Sequence, residues 1–257
     1  MTRKRKNLVV VRAGDSSLHP QWLSGDTPRN FDLFVSYFGD QPGRFQDTAE
    51  YYESAPGLKY PALARLMEQK RGLFLDYGAC WLPDDDLSAS LDTVCRMFDL
   101  FHAYHLWLAQ PALSPGSHFS YPEVRQNPAM TLRFTGFVEI MCPIVHQCAL
   151  DRLGPSFSLA VSGWGLDFLW PHLLNHPRDR IAILDETPVL HSRPIRGGSF
   201  YKACKNLGIN PHDEMKKILS EHNLTWRKNI PVHGSVRRTA STDYAVKLPA
   251  LSRGAHQ

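Results

Sequence analysis

The chain is poor in cysteine and has no long apolar run, and both shortages narrow what it is. Its 257 residues hold five cysteines (Cys80, Cys95, Cys142, Cys148 and Cys204), an odd number with no Cys-x-x-Cys spacing. That pattern points to a reducing compartment without a disulfide framework, where buried free cysteines act as small hydrophobes. The richest apolar stretch, Met97–Leu108, is broken by Asp99, His102 and His105, so it cannot span a bilayer. After the basic Met1–Lys6, the run Leu8–Val11 is too short for a signal-peptide core. The expectation is a bacterial-type soluble cytoplasmic protein with no transmembrane segment. There is no stripe of Lys and Arg interleaved with aromatics, so no nucleic-acid partner is expected. The net charge of +4 comes partly from the basic ends, Met1–Asn7 and Arg227–Gln257. Such ends can touch an anionic membrane surface peripherally, though solubilising unstructured tails are the plainer reading. There is no internal repeat and no Gly-x-Gly-x-x-Gly.

What the chain does have suits an α/β enzyme. At 43% hydrophobic it can bury a sizeable core, and its length fits one domain with or without appendages. Leu8–Val11 reads as a strand buried on both faces, running into the small-residue turn Arg12–Ser17, and nucleotides bind α/β sheets at such carboxyl ends. Phe31–Phe38 is a second strand, Tyr60–Gln69 a helix, Leu73–Leu82 a third strand and Leu87–Leu106 a long amphipathic helix. Further on, His105–Leu113 is a short strand ended by Gln110-Pro111, Leu132–Met141 a strand and Pro143–Leu153 a helix. Gly163–Leu174 is a Gly turn leading into a helix, Ile181–Leu184 a strand and His212–His222 a last helix. Beyond Trp226 no periodicity remains.

The acidic triplet Asp84-Asp85-Asp86 is the sharpest chemical signal. Adjacent carboxylates repel one another and persist only with cations, hydrogen-bond donors or raised pKa values. A divalent cation is the usual remedy, because Mg²⁺ and Mn²⁺ take oxygen ligands from one or two carboxylates and from substrate phosphates. The plainer reading is an acidic turn capping a helix.

Taken in order, Asp84-Asp85-Asp86-Leu87, Gln110-Pro111-Ala112-Leu113, Phe137–Pro143, Gly163-Trp164-Gly165-Leu166-Asp167 and His191 resemble the plant and bacterial family called domain of unknown function 707. The resemblance covers roughly Leu8 to Met215, and the pattern is in turn similar to glycosyltransferases of the GT-A fold. It implies a single α/β domain, a GT-A-like (Rossmann-like) mixed sheet flanked by helices. That domain would occupy residues 8–226, with a nucleotide-binding half (8–110) and an acceptor half (111–226), between a basic tail (1–7) and an unstructured tail (227–257). In such enzymes an Asp-x-Asp ends a strand, a Gly-Trp-Gly-x-acid segment opens an acceptor-side helix, and a later His completes the metal site. His191-Ser192 is similar to the metal His of the β-1,4-galactosyltransferase family. Those enzymes carry more acids after Gly-Trp-Gly, where this chain has Phe168-Leu169-Trp170.

The resemblance implies transfer of a sugar from a nucleoside-diphosphate donor, UDP-sugar favoured, with Mn²⁺ or Mg²⁺. The acceptor is left open between glycan, lipid-linked and small-molecule types. Asp84, Asp86 and His191 would hold the metal, with Asp86 as direct ligand, while Asp84 and Asp85 also face the donor. Ala13, Gly14 and Asp15 would take base and ribose, and Arg193 with Arg196, beside Gly197-Gly198, would clamp the diphosphate. Asp167, desolvated by Trp164, Leu166 and Phe168, is the candidate general base, and a single base opposite the leaving group implies inversion. Trp164 and Glu139 belong to the acceptor side, although the apolar setting of Glu139 first suggests a salt bridge to Arg133. Lys59 could reach a phosphate or simply be solvated. Two rivals remain from the residues alone: a metal-dependent phosphoesterase, and a non-catalytic nucleotide- or glycan-binding module.

Overall fold

The computed structural model describes residues 4–194 and 199–238. Ten strands and six α-helices follow one another: β1 (Asn7–Ala13), β2 (Phe31–Tyr37), β3 (Tyr51–Ser54), α1 (Lys59–Leu75), β4 (Ala79–Trp81), β5 (Leu87–Ser88), α2 (Leu91–Ala103), β6 (Leu108–Leu113), β7 (Met130–Thr135), β8 (Ile144–His146), α3 (Gln147–Leu153), α4 (Leu166–Leu173), β9 (Ile181–His191), α5 (Ser199–Asn206), α6 (Pro211–Glu221) and β10 (Val232–Arg237). One mixed sheet runs β10-β7-β9-β6-β8-β4-β1-β2-β3, with β5 paired to β9 off that path. The expected mixed sheet flanked by helices is therefore present. Strands β3, β2, β1 and β4 are parallel. The antiparallel β8 joins them to β6 and the parallel β9, and β7 and β10 continue antiparallel.

β1 is central, and all seven of its residues are buried, as an apolar run without alternation requires. Its side chains feed two cores: Val9 and Val11 pack with α2, while Leu8 and Val10 pack with α1, α3 and α4. α2 starts at Leu91 because the Ser90 hydroxyl accepts the Thr93 N–H at 3.1 Å, capping the first turn.

Several expected elements fall differently. Leu73–Leu75 close α1 rather than open a strand, so only Ala79–Trp81 of the expected Leu73–Leu82 strand pairs. Leu87-Ser88 are extended and pair with His191 and Leu190, and so do not begin a helix. β6 runs through Pro111, which pairs with Leu184 of β9 and lies beyond Ala109, the last residue of β6 paired to β8. The apparent strand Leu132–Met141 stops at Thr135. Beyond it Phe137 enters one core and Val138 the other, so this alternation marks chain crossing between layers. Ile144–His146 form β8 before α3 begins. β9 continues through Asp185–Thr187 to His191 as one strand, and α5 had no sequence signal.

The two ends also do more than expected of tails. Arg5 bonds Asp32 at 2.7 Å and Glu50 at 3.0 Å, and Asn7 lies in β1. Val232–Arg237, placed beyond the expected end of the domain, form β10 on the edge strand β7. Residues 239–257 are outside the described set. Among the described residues no helix is long and apolar enough to cross a membrane.

Candidate active site

A large cavity, about 1220 Å³, opens where the parallel strands end. The acidic turn Asp84–Asp86, the loop Glu139–Met141, Gly165 and Asp167 at the start of α4, and His191 at the end of β9 all line it. Such a crevice beyond the carboxyl ends of strands is where open α/β sheets bind ligands.

Strand register brings the acids to the histidine. Leu87 pairs with His191, so Asp86 arrives beside the imidazole, and Ser192 ties the turn by donating its N–H (3.2 Å) and hydroxyl (2.9 Å) to the Asp86 carbonyl. His191 Nε2 is 3.2 Å from Asp86 Oδ2, and its Nδ1 donates to the His118 carbonyl at 2.7 Å. Burial opposes the imidazolium, but the Asp86 carboxylate outweighs it and the pKa of His191 is raised. Asp86 Oδ1 is buried without a protein partner. An imidazole whose Nδ1–H is held by a backbone carbonyl, with Nε2 beside a carboxylate that has a spare oxygen, suits a divalent cation. Asp84 does not join that pair. It takes the Lys59 ammonium at 2.8 Å, and Lys59 spends its remaining donors on the carbonyls of Ile140 and Met141, both at 2.9 Å. Lys59 is thus a brace between the acidic turn and the Glu139 loop. Among the described residues no three or more His, Cys, Asp or Glu side chains gather as a metal cage.

Asp85 turns the other way. It accepts the Gly14 N–H at 2.8 Å and Arg193 Nη1 at 2.7 Å, and burial raises its pKa against those two donors. Arg193 also donates to the Ser16 carbonyl at 2.8 Å. Arg196 and Gly197-Gly198 lie outside the described residues. The base-binding expectation for Ala13 to Asp15 meets an obstacle. Ala13 is fully buried, and Asp15 is bound by the Tyr37 hydroxyl and the Asp40 N–H. The cavity instead presents Phe38, at the end of β2, 38% exposed. Arg12 stacks its guanidinium on that ring at 5.2 Å and is fixed by Ser36 and the carbonyls of Ala55 and Gly57. Its burial lowers its pKa to about 10, still far above neutrality. A Cβ on Gly14 would sit 3.0 Å from the tip of the Phe38 ring, so any larger residue there would push the ring aside by a few tenths of an ångström.

Asp167 occupies the first turn of α4 and is 8% exposed. The Gly-Trp-Gly turn ahead of it is dictated by contacts. Gly163 has φ +80 and a Cβ there would lie 2.2 Å from the Tyr60 ring, while Gly165 has φ +95 and abuts Met215 of α6. Glu214 of α6 accepts the N–H groups of Val161 and Ser162 at 2.9 and 2.8 Å, fixing the approach to the turn. Burial raises the Asp167 carboxyl to about 7, although it accepts the Phe168 N–H at 3.1 Å. Glu139, 7% exposed, does not pair with Arg133, which instead holds Asp185 at 2.8 Å. Its N–H donates to Gln110 Oε1 at 2.7 Å, and its Oε2 is buried without a partner. Burial first, and the charge of Asp167 second, raise it to about 8. Trp164 lines the same cavity, edge-on to His212 at 4.8 Å.

Sequence reasoning missed Arg12, Phe38, Tyr121 and Trp226 as lining residues. For Phe38 a signal existed, namely an aromatic at the carboxyl end of a strand. For Tyr121 and Trp226, both in irregular segments, there was none.

No family model matches the chain, so the resemblance to domain of unknown function 707 stands on its motifs alone. No curated protein matches either. Among solved structures, the chain is similar to S. aureus TarS at 12% identity and a TM-score of 0.49, covering 87% of this chain and 44% of that one. A shorter TarS, residues 1–349 in complex with UDP, gives 12% identity and a TM-score of 0.48 over 87% and 73% of the two chains. The same fragment with UDP-GlcNAc gives 12% and 0.44 over 84% and 72%. The chain thus spans under half the length of the longer TarS chain.

Proposed function

We propose that this protein transfers a sugar from a nucleoside-diphosphate donor, a UDP-sugar by preference, to an acceptor hydroxyl, with inversion and with Mn²⁺ or Mg²⁺ on the diphosphate. One observation carries the reading. A single cavity holds the Asp86–His191 pair with its spare carboxylate oxygen, and a separate buried carboxyl, Asp167, raised to about 7. These are the two requirements of glycosyl transfer: support for a leaving diphosphate, and a base tuned to the working pH.

In this reading Asp86 and His191 would hold the ion. Their role would be to place a divalent positive charge where it would offset the charge developing on the leaving diphosphate. Arg193 is the nearby cation available to the same phosphates, and the exposed Phe38 ring receives the base. Asp167 takes the proton of the acceptor hydroxyl while that oxygen forms its bond to the anomeric carbon. The bond to the diphosphate breaks with its electron pair leaving on oxygen. Glu139, largely protonated at neutrality, donates a hydrogen bond to a sugar hydroxyl instead of competing as a base. Lys59 keeps Asp84 neutralised, so the triplet does not repel the diphosphate with three charges.

The test is turnover of a panel of nucleotide sugars with Mn²⁺, read as released nucleotide, for wild type and Asp167→Asn. The expected result is release from one donor, reduced about 10²-fold or more by the substitution with nucleotide affinity kept. Release unchanged in Asp167→Asn, or none from any donor, would overturn the reading.

A further inference from the structure

Six large apolar side chains stand exposed among the described residues, and four of them, Phe38, Phe119, Leu207 and Trp226, line the large cavity. Scattered exposed hydrophobes need no explanation, but their concentration in one concave place does. Phe38 is in contact with Arg12, beside Asp85. The others share the cavity with Tyr121 and Trp164. Tyr121 is tied into a set of packed rings. Tyr121 packs on Phe137 at 4.7 Å, Phe137 on Phe168 at 5.1 Å, and Trp226 Nε1 donates to the Tyr121 hydroxyl at 3.4 Å. The exposed Arg125 covers one face of Phe119 at 5.3 Å from outside the cavity lining.

We infer that the acceptor is a neutral glycan whose sugar rings stack on Trp226, Phe119, Tyr121 and Trp164. The inference rests on the glycosyl-transfer reading above and names the acceptor that reading leaves open. A pyranose ring has an apolar C–H face and a hydroxyl rim, which matches aromatic faces flanked by polar tips. The polar tips here are the Tyr121 hydroxyl, the Trp226 N–H and the carboxyls of Glu139 and Asp167.

Charge argues against an anionic acceptor. The lining cations among the described residues are Arg12, Lys59 and Arg193: Lys59 pairs with Asp84, Arg193 with Asp85, and Arg12 is held under Phe38 by Ser36 and the carbonyls of Ala55 and Gly57. The aromatic wall has the two buried carboxyls beside it and no lining cation of its own. An alkyl chain fits no better, because it would leave the buried Glu139 Oε2 without a partner, at the cost of an unpaired buried polar atom. The volume, about 1220 Å³, exceeds the roughly 300–1,000 Å³ usual for one ligand, so a donor and more than one acceptor sugar can be held together.

The experiment is a glycan array carrying neutral, sialylated, sulfated and phosphorylated glycans, probed with the labelled full chain plus Mn²⁺ and UDP or GDP. Binding to neutral glycans is expected, weakened about tenfold by Trp226→Ala and by Phe119→Ala and retained by Trp226→Phe. Calorimetric nucleotide binding should be the same in all four proteins, which also shows that each variant is folded. Binding confined to anionic glycans, no glycan bound, or alanine variants that bind neutral glycans as wild type does would overturn the inference. Failure of the underlying reading has a different signature, namely no nucleotide bound by the wild type.

Discussion

Asp167 is held where ionisation is costly. Burial raises its carboxyl from the ordinary value near 4 to about 7. The folded chain therefore binds that proton more tightly than the unfolded chain does, and stability falls as pH rises from about 4 to about 7, then stays at the lower level. A rise of that size amounts to on the order of 4 kcal/mol. Asp167→Asn removes the titration, so the variant should melt above wild type near pH 8 and lose that advantage toward pH 4. Activity runs the opposite way, since only the ionised carboxylate accepts a proton: kcat/KM should climb with pH through about 7. Thermal melts at both ends of the range and a pH–rate profile check the pair, and a flat profile would remove Asp167 as base. Phe38 carries a separate prediction. Base–aromatic stacking contributes about 1–3 kcal/mol, so Phe38→Ala should weaken nucleotide binding by that amount and leave pyrophosphate binding in Mn²⁺ unchanged. Competition binding of the two ligands measures it, and equal losses for both would contradict a base-stacking role.

Among the elements, α4 shows how a motif becomes geometry. Gly163 takes a positive φ and passes 2.2 Å from the Tyr60 ring measured at a Cβ position, so Gly163→Ala must displace either the turn or Tyr60. A loss of roughly 2–3 kcal/mol in urea unfolding is expected, together with reduced turnover as Asp167 shifts; an unchanged urea midpoint would mean the turn yields freely. The Gly-Trp-Gly turn, its helix, β1, β2 and the helix α6 were legible because each has a local signature: a forced backbone, an unbroken β-branched run or a capped polar helix. β5 and β10 were not. β5 is two residues long and exists only because β9 lies beside it, and the residues of β10 are mostly exposed on an edge, so neither leaves a period in the chain. Leu73–Leu75 misled in the other direction, because a short apolar run suits helix and strand alike and only packing decides. The same division holds for the site. Asp86, Asp167 and His191 were picked out by residue type together with the family resemblance, and all three line one cavity, whereas the Lys59–Asp84 pair and the Asp185 partner of Arg133 depend on contacts 25 and 52 residues apart.

At the scale of the molecule, the sheet joins what the sequence divided. A boundary near residue 110 falls inside β6, and the proposed ion site takes Asp86 from one half of the chain and His191 from the other through the β5–β9 pairing. The proposed donor site therefore draws on both halves, and neither half holds both proposed ligands. The most direct test is calorimetric binding of UDP and GDP to the full chain, with and without Mn²⁺, in wild type and Asp86→Ala. The account expects one nucleotide to bind with Mn²⁺ and to lose that metal dependence in the variant. Binding indifferent to both metal and substitution, or no binding of either nucleotide, would contradict it.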